Sequence, residues 1–208
     1  MRAILVLVLA VALGGCIGGY GAAHPNVMGN VDHDAHWEGF GYCGGWGCSD
    51  PHPVDLTREE WDEVAAIMYP AALTAEEERI KIGQAIGRLE TFAGGKVGYD
   101  RDRAGTAAGV LQFGQLDCYS EAANSSTFIH LLHNAGLLDF HEPADPIMRG
   151  QATARSWRQT HATATLMETE SGVLYAMDSW FFASGHAAVS VEADVWADAW
   201  GPEGGVIF

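Results

Sequence analysis

An α+β domain is what this sequence predicts, and three observations carry the prediction. Two helix-start signatures with apolar stripes behind them occupy the first half of the chain. A further helical pattern begins at Cys118. Two alternating apolar runs, separated by a turn-like stretch, fill the last third. Helices followed by strands, rather than strands and helices in alternation, point to helices packed on a small antiparallel sheet.

The elements follow in order. Thr57-Arg-Glu-Glu60 has the capping-box form and leads into Trp61, Val64, Ala65 and Met68, ending near Pro70. Thr74-Ala-Glu-Glu77 repeats it. Its stripe, Ile82, Ile86, Leu89 and Ala93, stops at Gly94-Gly95. Asp100 to Arg103 reads as a polar loop, and 105–114 is punctuated by glycine. The next helix starts at or just before Cys118 and runs to about Ala135, with Ala122, Phe128, Leu131 and Leu132 on its buried side and Gly136 closing it. Pro143 and Pro146 mark a loop. Residues 161–167 and 173–180 read as strands joined by a hairpin turn at 168–172, and 187–191 as a third strand beside them.

The rest of the organisation is compositional. Arg2 precedes an apolar run, Ala3 to Leu13, which ends in Gly14-Gly15-Cys16. A short cationic start, an apolar stretch too short to span as a mature helix and small residues at its end describe an export signal. Leu13-Gly14-Gly15-Cys16 resembles a bacterial lipobox. The resemblance implies cleavage before Cys16, lipid on Cys16 and membrane attachment through that lipid alone. With Ile17 rather than Asp after the cysteine, it also implies the periplasmic face of the outer membrane. The expected division is therefore residues 1–15 as signal, 16–55 as a Gly/His-rich tether and loop region, and 56–208 as the folded domain.

Charge excludes some partners. Lys+Arg 11 against Asp+Glu 27 gives a formal charge of −16. Such a field repels phosphate backbones, so nucleic acid is not an expected partner, and it mildly favours a cationic or neutral substrate.

Cysteine use fits export. Cys16 goes to lipid, and Cys43 and Cys48 lie close enough to pair in an oxidising compartment. Cys118 is left over. The alternative for the N-terminal region is a zinc or copper site drawing on His24, His33, His36 and His52 with those two cysteines. Their spacing matches no standard finger or ribbon, so no metal ligands are assigned.

Cys118, His161 and Asp178 occur in the order thiol, imidazole, carboxylate. A helix start favours the thiolate, an imidazole carries the proton, and a carboxylate fixes the imidazole tautomer. The hairpin brings the beginning of one strand, His161, to the end of the next, Asp178. The Cys118 backbone N–H, with Gln112 or Gln115, would serve the oxyanion, and Trp180 would wall the site. This chemistry needs no cofactor.

These residues carry a resemblance. A nucleophile opening a helix, His161-Ala162 opening a strand, Asp178-Ser179-Trp180, and Gln112 six residues before Cys118 resemble the papain-like superfamily. Asp178 in place of Asn, and the short interval from Cys118 to His161, resemble its bacterial transglutaminase-like members. Cys118 is followed by Tyr119-Ser120-Glu121, unlike the papain cysteine segment. The resemblance implies a thioester acyl-enzyme acting on an amide bond of a peptide, a protein or the cell wall, by hydrolysis or acyl transfer. The alternative is an envelope lipoprotein that keeps the fold as a non-catalytic binding or assembly module.

Overall fold

The computed structural model describes residues 19–105, 112–150, 160–198 and 200–202. The lipobox with Cys16 lies outside them. Mixed α and β structure is observed, with the α4 helix, Cys118–Asn134, at its centre. The principal sheet has five antiparallel strands in the order β1 (Tyr20–Ala22), β4 (His141–Arg149), β5 (His161–Glu168), β6 (Leu174–Asp178), β7 (Val189–Glu192). A separate hairpin, β2 (Phe40–Gly44) with β3 (Asp50–Val54), packs on α4. Among the described residues, no helix is long and apolar enough to cross a membrane.

The first helix is the short α1 (Pro25–Met28), and local chemistry accounts for the longer ones. Thr57 caps α2 (Arg58–Met68) in a reciprocal box with Glu60, and Thr74 caps α3 (Ala75–Val97) through Glu77 N–H. The expected stop at Gly94-Gly95 is overrun. Gly98, at φ 87°, supplies the left-handed residue that ends α3. Gly83 and Gly87 let α3 approach the segment before β7 so closely that a Cβ there would meet the Ala188 and His186 carbonyls at 2.2 and 2.5 Å. Helix α4 begins at Cys118 with Asp117 as N-cap.

Two expectations are corrected. The segment expected as a tether is built into the fold from Tyr20 onward. Tyr20–Ala22 pairs with Ile147–Arg149, and Phe40, Tyr42 and Val54 join the core of Ile82, Ile86, Leu89, Phe128, Leu132 and Leu166. The proline-marked loop is strand β4. Its ladder to β5 is irregular between Ala144 and Ile147, and β1 covers only its last three residues. Pro143 and Pro146 therefore fall beside a bulge or on an uncovered edge, where a missing N–H breaks no ladder bond.

The core wraps α4, whose residues from Ser120 to Ile129 are all buried. On β6, successive side chains point to opposite faces. Met177 enters the main core, while Ala176 joins a smaller cluster with Ile147, Ala193 and Trp196. Ala193 and Trp196 belong to α5 (Ala193–Ala197), which lies along β6 and β7.

Candidate active site

The β5–β6 hairpin sets the first part of the site. Its register pairs Ala164 with Met177, which brings His161 and Asp178 side by side. His161 Nε2 lies 2.7 Å from Asp178 Oδ2, and both side chains are buried. Trp196 Nε1 donates to the same oxygen at 2.7 Å, and the Trp180 backbone N–H donates to Asp178 Oδ1 at 3.2 Å. The imidazole stands among the rings of Trp180, Phe181 and Trp196, with centroids 4.6, 5.2 and 5.5 Å away. Trp180 is thus placed against His161. This apolar surround strengthens the hydrogen bond between imidazole and carboxylate.

Cys118 reaches the site from the other side. Its thiol lies within hydrogen-bond reach of the Ala162 backbone N–H, one residue past His161. Cys118 and His161 share no hydrogen bond, and the buried Nδ1 of His161 has no partner among the described residues. With Nε2 committed to Asp178, Nδ1 is the nitrogen left to take or give a proton. As the first residue of α4, Cys118 has a backbone N–H with no intrahelical acceptor.

The thiol is not activated in the way the helix start suggested. Cys118 is half-buried, and burial pushes its pKa up, with Asp117, Asp178 and Glu121 adding to the rise. The positive end of a helix favours an anion. Here the N-cap is itself a carboxylate beside the thiol, which offsets that end.

The glutamines divide. Gln115 donates both amide hydrogens, to the Arg101 and Gly114 carbonyls, at 3.1 and 2.9 Å, and accepts from Arg103. It braces its loop and has no hydrogen left for an oxyanion. Gln112 is exposed, and its carbonyl oxygen accepts from Arg103 at 2.9 Å, which leaves the NH₂ as the end that can donate.

The disulfide loop buttresses the start of α4. Cys43 and Cys48 are bonded, and the loop they close lies on the first turns of α4. Gly47 N–H donates to both Asp117 carboxylate oxygens at 3.1 and 3.0 Å. Cys48 N–H donates to Ser120 Oγ, which in turn donates to the Gly45 carbonyl. Asn124 exchanges two hydrogen bonds with the Cys43 backbone. Asp117, Ser120 and Asn124 form one stripe at helical spacing. Among the described residues no three His, Cys, Asp or Glu side chains cluster as a metal site.

Several residues of the site went unread in the sequence. Glu121 stands in the first turn of α4, where an exposed carboxylate would complement the positive end of the helix. It turns inward instead, accepting from Ser179 Oγ at 3.1 Å and facing Asp102 in a carboxyl–carboxyl contact. Asp102 accepts from Leu116 N–H at 2.9 Å, and Glu90 from Gly185 N–H at 3.2 Å. Burial raises all three carboxyl pKa values, Glu90 to about 7. A proton shared between Asp102 and Glu121 supplies the donor that Asp102 Oδ2 otherwise lacks. This acid cluster lies behind Ser179, next to Asp178. The space lined by Glu121, Ser125, Asp178, Ser179 and Trp180 has no room for a water molecule.

Periodicity carried a signal for one member, because Glu90 continues the i+4 row of Ile82 and Ile86. Trp196 and Arg149 had none.

Comparison with protein-family models, curated proteins and solved structures finds no match.

Proposed function

We propose that the chain is a thiol-dependent hydrolase or acyltransferase acting on an amide bond. Cys118 is the nucleophile, His161 the proton carrier and Asp178 the group that orients it. The observation that carries this reading is the 2.7 Å bond from His161 Nε2 to Asp178 Oδ2, with Nδ1 without a partner among the described residues and the Cys118 thiol reaching the N–H of the next residue, Ala162. In the reaction, Nδ1 accepts the thiol proton and sulfur attacks the amide carbon. The oxyanion lies toward the Cys118 N–H and the Gln112 side-chain amide. His161 returns the proton to the departing amine, leaving a thioester that water or a second amine resolves. Asp178 holds the imidazolium in place throughout.

The fold reading that goes with this is a papain-like core of the transglutaminase type: nucleophile helix on the sheet, histidine on one strand, carboxylate on the next. Lipid on Cys16 would hold the domain at the periplasmic face of the outer membrane, facing peptide, protein or cell-wall amides.

A second reading, a non-catalytic binding or assembly module, is favoured by the raised thiol pKa and the anionic N-cap. Alkylation of Cys118 by iodoacetamide at neutral pH, followed by peptide mass mapping, separates the two. The enzyme reading expects fast labelling that His161→Ala slows. Equal rates in wild type and variant leave the binding module as the better account.

A further inference from the structure

We propose that Arg149 is the substrate-recognition residue of this site and that it receives a carboxylate carried close to the scissile carbonyl; this rests on Cys118, His161 and Asp178 being the reaction centre. Arg149 closes β4, and its backbone stands opposite His161 in the β4–β5 ladder. Its guanidinium carbon lies 4.6 Å from the centroid of the Trp196 ring and 6.0 Å from that of Phe181, and Nη1 donates to the Trp196 carbonyl. Both aromatic rings also flank His161, and the Trp196 indole is the one that holds Asp178. The cation is therefore part of the wall that contains the imidazole and its carboxylate. Cys118 and Asp178 both act on it electrostatically.

Arg149 is half-buried, and the nearby charge of Asp178 favours the cation without a direct ion pair. Arg79, Arg88 and Lys96 have ion pairs with Glu168, Glu63 and Glu60, whereas no ion pair includes Arg149 among the described residues. The Asp178 oxygens already accept from His161, Trp196 and the Trp180 N–H. Removing a cation from water without a direct hydrogen-bonded anion is costly. Five N–H donors in a planar fork fit a carboxylate in two parallel hydrogen bonds, and among the described residues the Trp196 carbonyl occupies one nitrogen. The formal charge of −16 repels anions at a distance. At contact range the nearest charge decides, and the expectation of a cationic or neutral substrate, drawn from the whole chain, does not hold for the group that meets Arg149.

Two alkylating reagents test this without a known substrate. Iodoacetate and iodoacetamide react alike: thiolate sulfur bonds to the CH₂ carbon, the carbon–iodine bond breaks and iodide leaves. They differ in one negative charge. The ratio of their rates at Cys118, iodoacetate over iodoacetamide, should fall about fivefold in Arg149→Gln, the effect of one unit charge at close range in water, and be largely kept in Arg149→Lys. An Arg149→Gln ratio within about twofold of wild type overturns the proposal. A cation that merely steadied the thiolate would slow both reagents equally and leave the ratio unmoved. Should Arg149→Gln not fold, the wild-type protein suffices. Sodium acetate should slow iodoacetamide labelling of Cys118 relative to sodium chloride at equal ionic strength, and no slowing overturns the proposal. His161→Ala tests the reaction centre through iodoacetamide alone, so either idea can fail without the other.

Discussion

Trp196 donates its indole N–H to Asp178 Oδ2, the same oxygen that binds His161, and both distances are 2.7 Å. The short helix α5 is thereby part of the candidate site. Asp178 is buried, so its charge depends on these donors and on the Trp180 N–H. Trp196→Phe keeps a ring against His161 and removes one donor. A hydrogen bond to a charged acceptor is worth about 2 kcal/mol. The expected outcome is a loss of that size in urea denaturation, together with slower labelling of Cys118. Unchanged stability would mean that the indole N–H contributes packing alone.

Asp178→Asn separates orientation from charge. The amide fills the same space. Its one oxygen can take the place that His161 and Trp196 share, which sets its NH₂ against the Trp180 N–H, a donor facing a donor. His161 then loses the anion that stabilises its charged form. Iodoacetamide labelling at neutral pH should slow about tenfold or more, the low end of what general acid–base assistance contributes. His161→Ala should slow it as much, and the double variant no further, because the two residues act as one unit. Additive losses would argue against a coupled pair.

What the sequence made legible is what local chemistry determines. Thr57 and Thr74 sit as caps because their partners, Glu60 and Glu77, are three residues away. His161 and Asp178 could be paired in advance because a hairpin links their strands, and its register is a short-range property. Tyr20–Ala22 carries no strand pattern of its own. It becomes a strand by pairing with Ile147–Arg149, over a hundred residues away in the chain. Strand β4 was hidden by Pro143 and Pro146, which are tolerated only because of a bulge and an uncovered edge. Arg149 and Trp196 meet His161 through tertiary packing, which no spacing encodes. Glu121 shows the limit most plainly. It has the position of a surface charge in the first turn of a helix, and the packing of Ser179 and Asp102 makes it an interior acid.

The Cys43–Cys48 disulfide should stabilise both the fold and the start of α4. Closing a loop this short is worth about 2 kcal/mol in the chain-entropy account. Because Gly47, Cys48 and Cys43 bond to Asp117, Ser120 and Asn124, loosening the loop also frees the N-cap. Cys43→Ser/Cys48→Ser should lower the urea midpoint and alter the iodoacetamide rate at Cys118, while a substitution remote from α4 with equal cost, such as Glu168→Gln at its ion pair with Arg79, should leave that rate alone. If both variants change the labelling rate equally, the loop has no particular hold on Cys118.

The buried acids make a pH prediction whose sign is unusual for carboxylates. Glu90, Asp102 and Glu121 have folded-state pKa values raised by burial, so the folded protein binds more protons than the unfolded chain. Their contribution is fully present below the unfolded carboxylate range and is lost as pH rises through the folded values. For Glu90 the window runs from 4.5 to about 7. The stability lost across it is of order 3 kcal/mol for this one group. Urea midpoints should therefore fall between pH 5 and pH 8, rather than holding level. Glu90→Gln keeps an uncharged group in place and should flatten that slope, with a gain in stability at pH 8 and little change at pH 5. Glu121→Gln should act in the same direction and also release the Asp102 proton-sharing contact. A wild-type midpoint that rises over this interval, or a Glu90→Gln profile parallel to wild type, would show that these acids are ionised in the fold and that some other charge compensates them.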